Sequence, residues 1–337
     1  MIFRARAPFR ISFCGGGTDV SPYPESMGGC VLSVTIDRYC YVTISPRKDK
    51  LIRVRSLDYG TTIKFNTKDD LLYRSKYALL KYTIRHFRID KGADFFIHSD
   101  VPPGSGLGAS STIVVTLIGA IAKWKGLIMT PYEIAELAFK IEREELGIKG
   151  GRQDQYAAVF GGFNFIEFLR DSVVVNTLRV DRDLQREFHY HLLLCNTGKV
   201  RLSSRILSKQ IDAYERNDVR VMQALEEIKE LTVQLKNSLL KGDNYSFGKA
   251  LDNAWEEKKK LAPGITLPAI DKMYNAAKRH GAIGGKLLGA GGGGHMLLFC
   301  PYDKKDKVAT ALRGLGGEIV NFNFDFEGMK SWCAAGI

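Results

Sequence analysis

The chain has 337 residues, 45% of them hydrophobic and 26% charged, a balance that suits a globular protein of two moderate cores and excludes a disordered or fibrous one. Its net charge of +12 favours anionic ligands without naming one, and its six cysteines show neither a Cys-x-x-Cys pair nor a Cys/His spacing that suits zinc, so buried reduced thiols are expected. The longest apolar run, around Ile113 to Ala122, is too short to span a bilayer, and the start lacks the apolar segment of a secretory signal, which points to a cytoplasmic protein without membrane contact.

The first 66 residues read mostly as strand: IFRARAPFRISF, RYCYVTISPR, LIRVRSL and TTIKFN alternate or carry β-branched and aromatic residues between turns. RKDKLIRVR (47–55) has strand alternation without interleaved aromatics, so it reads as a solvated or edge strand rather than a nucleic-acid patch, and no nucleic-acid partner is expected. SKYALLKYTIRHF has helical spacing, and GADFFIHSDV returns to strand before Pro102 and Pro103. TIVVTLIGAIAKWKG then predicts a helix stopped at Gly126, and Thr130, Pro131 and Glu133 predict the capped start of another that runs to about Gly147. GGFNFIEFL, SVVVNTL and FHYHLLLCN (188–196) read as strands, with His189 and His191 as ordinary strand residues. Helical patterns follow at 203–242, 244–260 and 268–280, and KKDKVATALRGL separates two further strand-like runs. FHYHLLLCN starts what reads as a second unit, which places the boundary near 180–187, with one domain over 1–183 and another over 184–337.

PPGSGLGASS, which opens directly into an apolar helix, carries the sharpest chemistry. A glycine-rich loop at a helix start presents unpaired N–H groups and the positive end of the helix dipole, so Pro103, Gly104, Ser105, Gly106, Leu107, Gly108, Ala109, Ser110 and Ser111 read as a phosphate cradle. No Gly-Lys-Ser/Thr closes it and no Gly-x-Gly-x-x-Gly follows a strand, which excludes the P-loop and dinucleotide fingerprints. Near the N-terminus, CGGGTD (14–19) marks either a tight turn or a ligand approach. GAGGGG (289–294) fits a bend and a ligand contact equally. Glu142, Glu144 and Glu145 alone read as a solvated helix face.

APFRISFCGGGTD, PPGSGLGASS and KLLGAGGGGHMLLF, in this order over essentially the whole chain, resemble the three motifs of the GHMP kinases. The resemblance implies an α+β, two-domain fold, ribosomal-protein S5-like at the N-terminus and ferredoxin-like at the C-terminus, with ATP and acceptor in the cleft between. It also implies Asp154 as general base, Glu142 and Ser110 as Mg2+ ligands, and Arg10 as the cation beside the reacting groups, where galactokinases have arginine and mevalonate kinases lysine. Gly16, Gly17, Thr18 and Asp19 then line the acceptor pocket. GGGTD with a nearby Pro-Tyr, and NTGKVRLSSRIL, are similar to the branch that phosphorylates sugars at the anomeric carbon. A heptose phosphate is the favoured acceptor, with L-fucose, another sugar, or a catalytically silent sugar sensor as alternatives. Lys199, Arg201, Ser203 and Arg205 are candidates to hold the acceptor's own phosphate, Arg201 first. The expected partners are small molecules, a sugar phosphate and ATP, with a homodimer left open.

Overall fold

A computed structural model describes residues 1–56, 61–66, 77–199 and 203–336. The chain builds a large sheet from β1 (Ile2–Cys14), β2 (Gly29–Pro46), β3 (Leu51–Ser56), β4 (Thr61–Asn66), β5 (Ala93–Ser99), β6 (Phe163–Phe168) and β7 (Val173–Thr177). It crosses to a smaller sheet of β8 (Leu192–Asn196), β9 (Gly284–Leu287), β10 (His295–Phe299) and β11 (Glu318–Val320), then returns to the first with β12 (Phe324–Asp325) and β13 (Lys330–Ala334). The strand order in the large sheet is β13-β1-β2-β5-β3-β4, antiparallel except for the β3–β5 pair, with β6 and β12 also on β2 and β7 on β6. The smaller sheet, β11-β8-β10-β9, is antiparallel throughout. Because β12 and β13 rejoin the large sheet, no single cut in the sequence separates the two sheets.

Alternation along β1 does the first positioning. Phe9, Ile11 and Phe13 are fully buried on one face of the strand, so Arg10 and Ser12 point to the other, where they are also nearly buried, at 3% and 4% exposure. The Ala109–Lys125 helix crosses behind β1 and β2 and is buried over most of its circumference, which explains its apolar run. Phe13, Phe188, Phe247 and Phe299 form an aromatic chain with ring centroids 5.5, 4.7 and 5.4 Å apart, the first two contacts edge-to-face and the third tilted, linking β1 to the smaller sheet.

Several expectations need correction. The segment holding His189 and His191 is the end of a helix, Arg182–His191, capped by Asp181; Phe188 alone is buried there, and the strand starts at Leu192. The basic strand β3 lies one position inside the sheet edge, between β5 and β4, and its Arg53 is held by Asp94 at 2.7 Å. Five cysteines are buried, but Cys333 on the edge strand β13 is exposed. The helix from Pro131 has the predicted capping box but changes to a π-helical turn, Lys140–Glu145, before it ends. Among the described residues, no helix is long and apolar enough to cross a membrane.

Candidate active site

Four glycine-containing segments converge where the two sheets meet: the turn after β1, the 102–108 loop, the 146–152 turn and the bend between β9 and β10. They enclose a cleft of about 240 Å³. Thr112 N–H makes the first bond of the Ala109–Lys125 helix, to Gly108 O at 3.0 Å. The N–H groups of Ala109, Ser110 and Ser111 precede it, so they are left to the cleft, and no side chain caps them. Gly108 is required here: its φ is +82°, and a Cβ on it would sit 3.3 Å from the Asp154 carboxyl carbon and 3.5 Å from the Arg10 guanidinium. The reacting-group candidates therefore stand against the phosphate cradle itself.

Arg10 and Asp154 form a nearly buried ion pair. Arg10 Nε donates to Asp154 Oδ1 at 2.7 Å and a terminal guanidinium nitrogen lies 2.5 Å from the same oxygen, while the other terminal nitrogen donates to Gly106 O at 2.8 Å. Asp154 Oδ2 accepts no hydrogen bond among the described residues and faces Gly108, which leaves that oxygen for a ligand proton. Asp154 lies in the first turn of the Gln153–Phe160 helix, where the dipole favours its negative charge.

Glu142 is fully buried, not on a solvated face. The π-helical turn carries it inward, where it accepts from Ser110 Oγ, from Ser111 Oγ at 2.6 Å and from Gln155 Nε2 at 2.8 Å. A carboxylate and a serine hydroxyl beside a phosphate cradle are hard oxygen donors of the kind that Mg2+ takes alongside phosphates and water, so these residues fit that cation. Arg143 braces the arrangement from the other side, 3.4 Å from Glu142 and 3.3 Å from Ser111 Oγ.

Asp19 is held by three N–H donors, from Gly17 and from the Gln153 backbone and side chain, at 3.0–3.1 Å. A side chain at Gly151 would run into its carboxylate, so the Gly150-Gly151 turn is what lets the two segments touch. Gly16, Gly17 and Asp19 line the cleft. Thr18, expected to touch the acceptor, is fully buried and is not part of the cleft lining: its hydroxyl is spent on Gly15 O and Cys30 O, fastening the turn to β2. Within the cradle, Gly104, Ser105, Gly106, Gly108, Ala109, Ser110 and Ser111 line the cleft, whereas Pro103 is exposed outside it and Leu107 is buried in the core. Arg201 lies outside the described residues.

The structure also brings in residues that the sequence reading missed. Lys258, near the end of the Asn244–Lys260 helix, and Lys286, on β9, are 7% and 3% exposed and line the cleft. Burial pushes the Lys286 ammonium down to about 8 and lowers Lys258 strongly as well, with the Lys286 charge further disfavouring that of Lys258 and the Arg10 charge opposing both. Gln153 joins them, with a side-chain oxygen that is buried and unbonded among the described residues. The bend at 289–294 packs directly on the cradle: His295 donates its backbone N–H to Ser105 O at 3.0 Å, and a Cβ on Gly106 would meet Leu288 O at 2.7 Å.

This geometry is that of a nucleotide-dependent phosphotransferase, and comparison with known proteins agrees. The family model for the GHMP kinases N terminal domain matches residues 71–162, and that for the GHMP kinases C terminal matches 234–317. The chain belongs to the GHMP kinase family and is an ATP-dependent phosphotransferase with the two-domain fold of that family. It is 37% identical to the D-glycero-alpha-D-manno-heptose 7-phosphate kinase of Campylobacter jejuni subsp. jejuni serotype O:2, over 98% of each chain. It is 29% identical to the L-fucokinase/L-fucose-1-P guanylyltransferase of Bacteroides fragilis, over 91% of this chain and 35% of that one. Among solved structures it resembles a D-glycero-D-manno-heptose 1-phosphate kinase from Bacteroides thetaiotaomicron, with a TM-score of 0.82 and 32% identity, covering 99% of this chain and 100% of the other.

Proposed function

We propose that the chain transfers the γ-phosphoryl group of ATP to the anomeric hydroxyl of D-glycero-D-manno-heptose 7-phosphate, giving the 1,7-bisphosphate. The observation that carries the chemistry is the meeting of Asp154, Arg10 and the first turn of the Ala109–Lys125 helix in one cleft. The full-length similarity to the Campylobacter enzyme supports the acceptor. The Bacteroides thetaiotaomicron structure bears a 1-phosphate name, but a sugar already phosphorylated at carbon 1 has no anomeric hydroxyl to offer.

The proposed step is a direct displacement. Asp154 Oδ2 takes the anomeric proton as the hydroxyl oxygen bonds to the γ-phosphorus, the bond from that phosphorus to the β–γ bridging oxygen breaks, and ADP leaves with the electron pair. Arg10 holds Asp154 by Oδ1 and places a permanent cation beside the developing charge. The N–H groups of Ala109, Ser110 and Ser111 bind the phosphate chain. Mg2+, held by Glu142 and Ser110, would neutralise phosphate charge when bound. Asp19, Gly16, Gly17 and Arg201 serve the acceptor. Residues 1–183, joined by β12 and β13, form the nucleotide and sugar domain in this reading, with the smaller sheet as the opposite wall; cytoplasmic location and a homodimer are parts of the same proposal.

The test is initial rates with ATP across a panel holding heptose 7-phosphate, L-fucose, galactose and mevalonate. The heptose phosphate should give the highest kcat/KM. A preference for L-fucose would support the runner-up, an anomeric kinase for unphosphorylated sugars, which the Bacteroides fragilis relative favours.

A further inference from the structure

Lys258 and Lys286 have no part in the phosphoryl-transfer step described above. Both are nearly buried, and neither forms an ion pair among the described residues: Lys258 Nζ donates to Gly289 O, and Lys286 Nζ to Ser12 O at 3.0 Å. Burying two ammonium groups side by side opposes folding, and a fold retains such a cost where a ligand offsets it. Arg10 adds a third cation on the same side, but Asp154 neutralises it. The carboxylate that acts on both lysines is that of Asp19, which already accepts three N–H bonds.

A second observation points into the same space. Ser12 Oγ is buried, its residue only 4% exposed, and it has no hydrogen-bond partner among the described residues. A Cβ built on Gly16 would lie 4.0 Å from Ser12 Oγ and 4.0 Å from Lys258 Nζ, so the serine hydroxyl and the ammonium approach one point beside the Gly16 backbone, in the part of the cleft that Asp19 and Gly17 also line. An ammonium group and a hydroxyl donor around an open point, with the Lys286 ammonium lining the same cleft, suit a tetrahedral dianion.

We infer that Lys258, Lys286 and Ser12 form a phosphoryl-dianion subsite on the acceptor side of the cleft, and that its occupant is the phosphate the acceptor already carries. This rests on the heptose 7-phosphate reading for its occupant, and it moves the seat of that phosphate from the 199–205 segment to the wall formed by β1, β9 and the Asn244–Lys260 helix. The subsite sets specificity: it selects a phosphorylated sugar over a neutral one.

The test uses the full chain with Lys258→Met and Lys286→Met, each assayed on D-glycero-D-manno-heptose 7-phosphate and on the same heptose without its phosphate. Each variant should lower kcat/KM about 10- to 100-fold on the phosphorylated acceptor and change it less than about threefold on the neutral one, with KM for ATP unchanged. Both should unfold at the parent temperature or above it, because a buried charge has been removed. Equal losses on both acceptors would place the lysines at the transferring group and overturn the assignment, as would no loss on either, or a selective loss confined to Arg201→Ala. Should a Met variant fail to fold, inorganic phosphate gives an independent readout on the parent: it should inhibit competitively against the acceptor, and competition against ATP alone, or no inhibition, contradicts the subsite. If the parent ignores heptose 7-phosphate altogether, the functional reading fails by itself. The subsite is then judged by whether phosphate inhibition against the sugar that is used weakens in Lys286→Met; inhibition equal to that of the parent overturns it.

Discussion

Replacing Asp154 by Asn removes a proton acceptor while leaving nearly the same shape, and the structure sets what else should change. Arg10 donates one N–H to Asp154 Oδ1 at 2.7 Å, sets a terminal nitrogen 2.5 Å from that oxygen, and donates another N–H to Gly106 O. The Asn carbonyl can still accept from Arg10, so the guanidinium stays in place but loses its counter-charge at a site where only 3% of Arg10 is exposed. Removing a partner from a buried pair outright costs about 3–5 kcal/mol; with the acceptor retained, a stability loss of about 1–3 kcal/mol is expected. The rate effect should be larger: loss of a general base lowers kcat roughly 10²- to 10⁴-fold, about 3–5 kcal/mol of barrier. ATP affinity should hardly move, since the cradle N–H groups are untouched. The assay is ADP release under saturating substrates, with ATP binding by calorimetry and thermal unfolding on the same preparation. A kcat within about threefold of the parent, with ATP binding intact, would refute the general-base role.

Glu142→Gln should raise the Mg2+ concentration needed for half-maximal rate, and it should lower the unfolding temperature, because the new amide faces donors from Ser110, Ser111 and Gln155; superimposable Mg2+ titrations would remove Glu142 from the ligand set. The Lys286 ammonium, lowered to about 8 by burial and facing Lys258, Arg10, Asp19 and Cys14, is charged below that pH and neutral above it. Binding of heptose 7-phosphate should therefore weaken as pH rises through about 8, with proton uptake on binding between there and the ordinary lysine range; a Kd that is flat with pH contradicts a lysine contact. Stability takes the opposite sign: the unfolded chain keeps that proton to higher pH, so stability should rise with pH across this window, and this rise should shrink in Lys286→Met. Thr130→Ala breaks a capping box far from the cleft and should cost about 1 kcal/mol of stability with kcat unchanged, as measured by denaturant unfolding and initial rates.

Local physics made much of the fold readable. Thr130, Pro131 and Glu133 specify a helix start in four residues, and Gly108 before an apolar run specifies an uncapped helix start that faces the cleft. β1 was legible because its alternation survives burial on both faces. What was not legible depends on tertiary partners. Lys258 sits beside Lys259 and Lys260 in a run that reads as dipole-complementing surface cations; the latter two do pair with Glu256 and Glu257, and only the packing of the helix on β9 turns Lys258 inward. Glu142 reads as surface because helical periodicity assumes 3.6 residues per turn, and the π-turn breaks that period just where the residue is needed. Thr18 carries a plausible ligand hydroxyl, but the turn at Gly15–Gly17 needs it as a brace against Cys30. His189 and His191 alternate like strand residues, yet Asp181 caps a helix through them. The β13 pairing with β1 joins residues over 300 positions apart, a distance at which no local pattern carries information.

The most direct test of the central claim is the product formed from D-glycero-D-manno-heptose 7-phosphate and ATP, followed by phosphorus NMR alongside kcat/KM for that sugar and for L-fucose. The expected result is a second phosphate resonance coupled to the anomeric proton, a 1,7-bisphosphate, with kcat/KM for the heptose phosphate above that for L-fucose by at least about the 10-fold that one charged hydrogen bond provides. A phosphate placed on any other carbon, or a parent enzyme that prefers L-fucose, would contradict it.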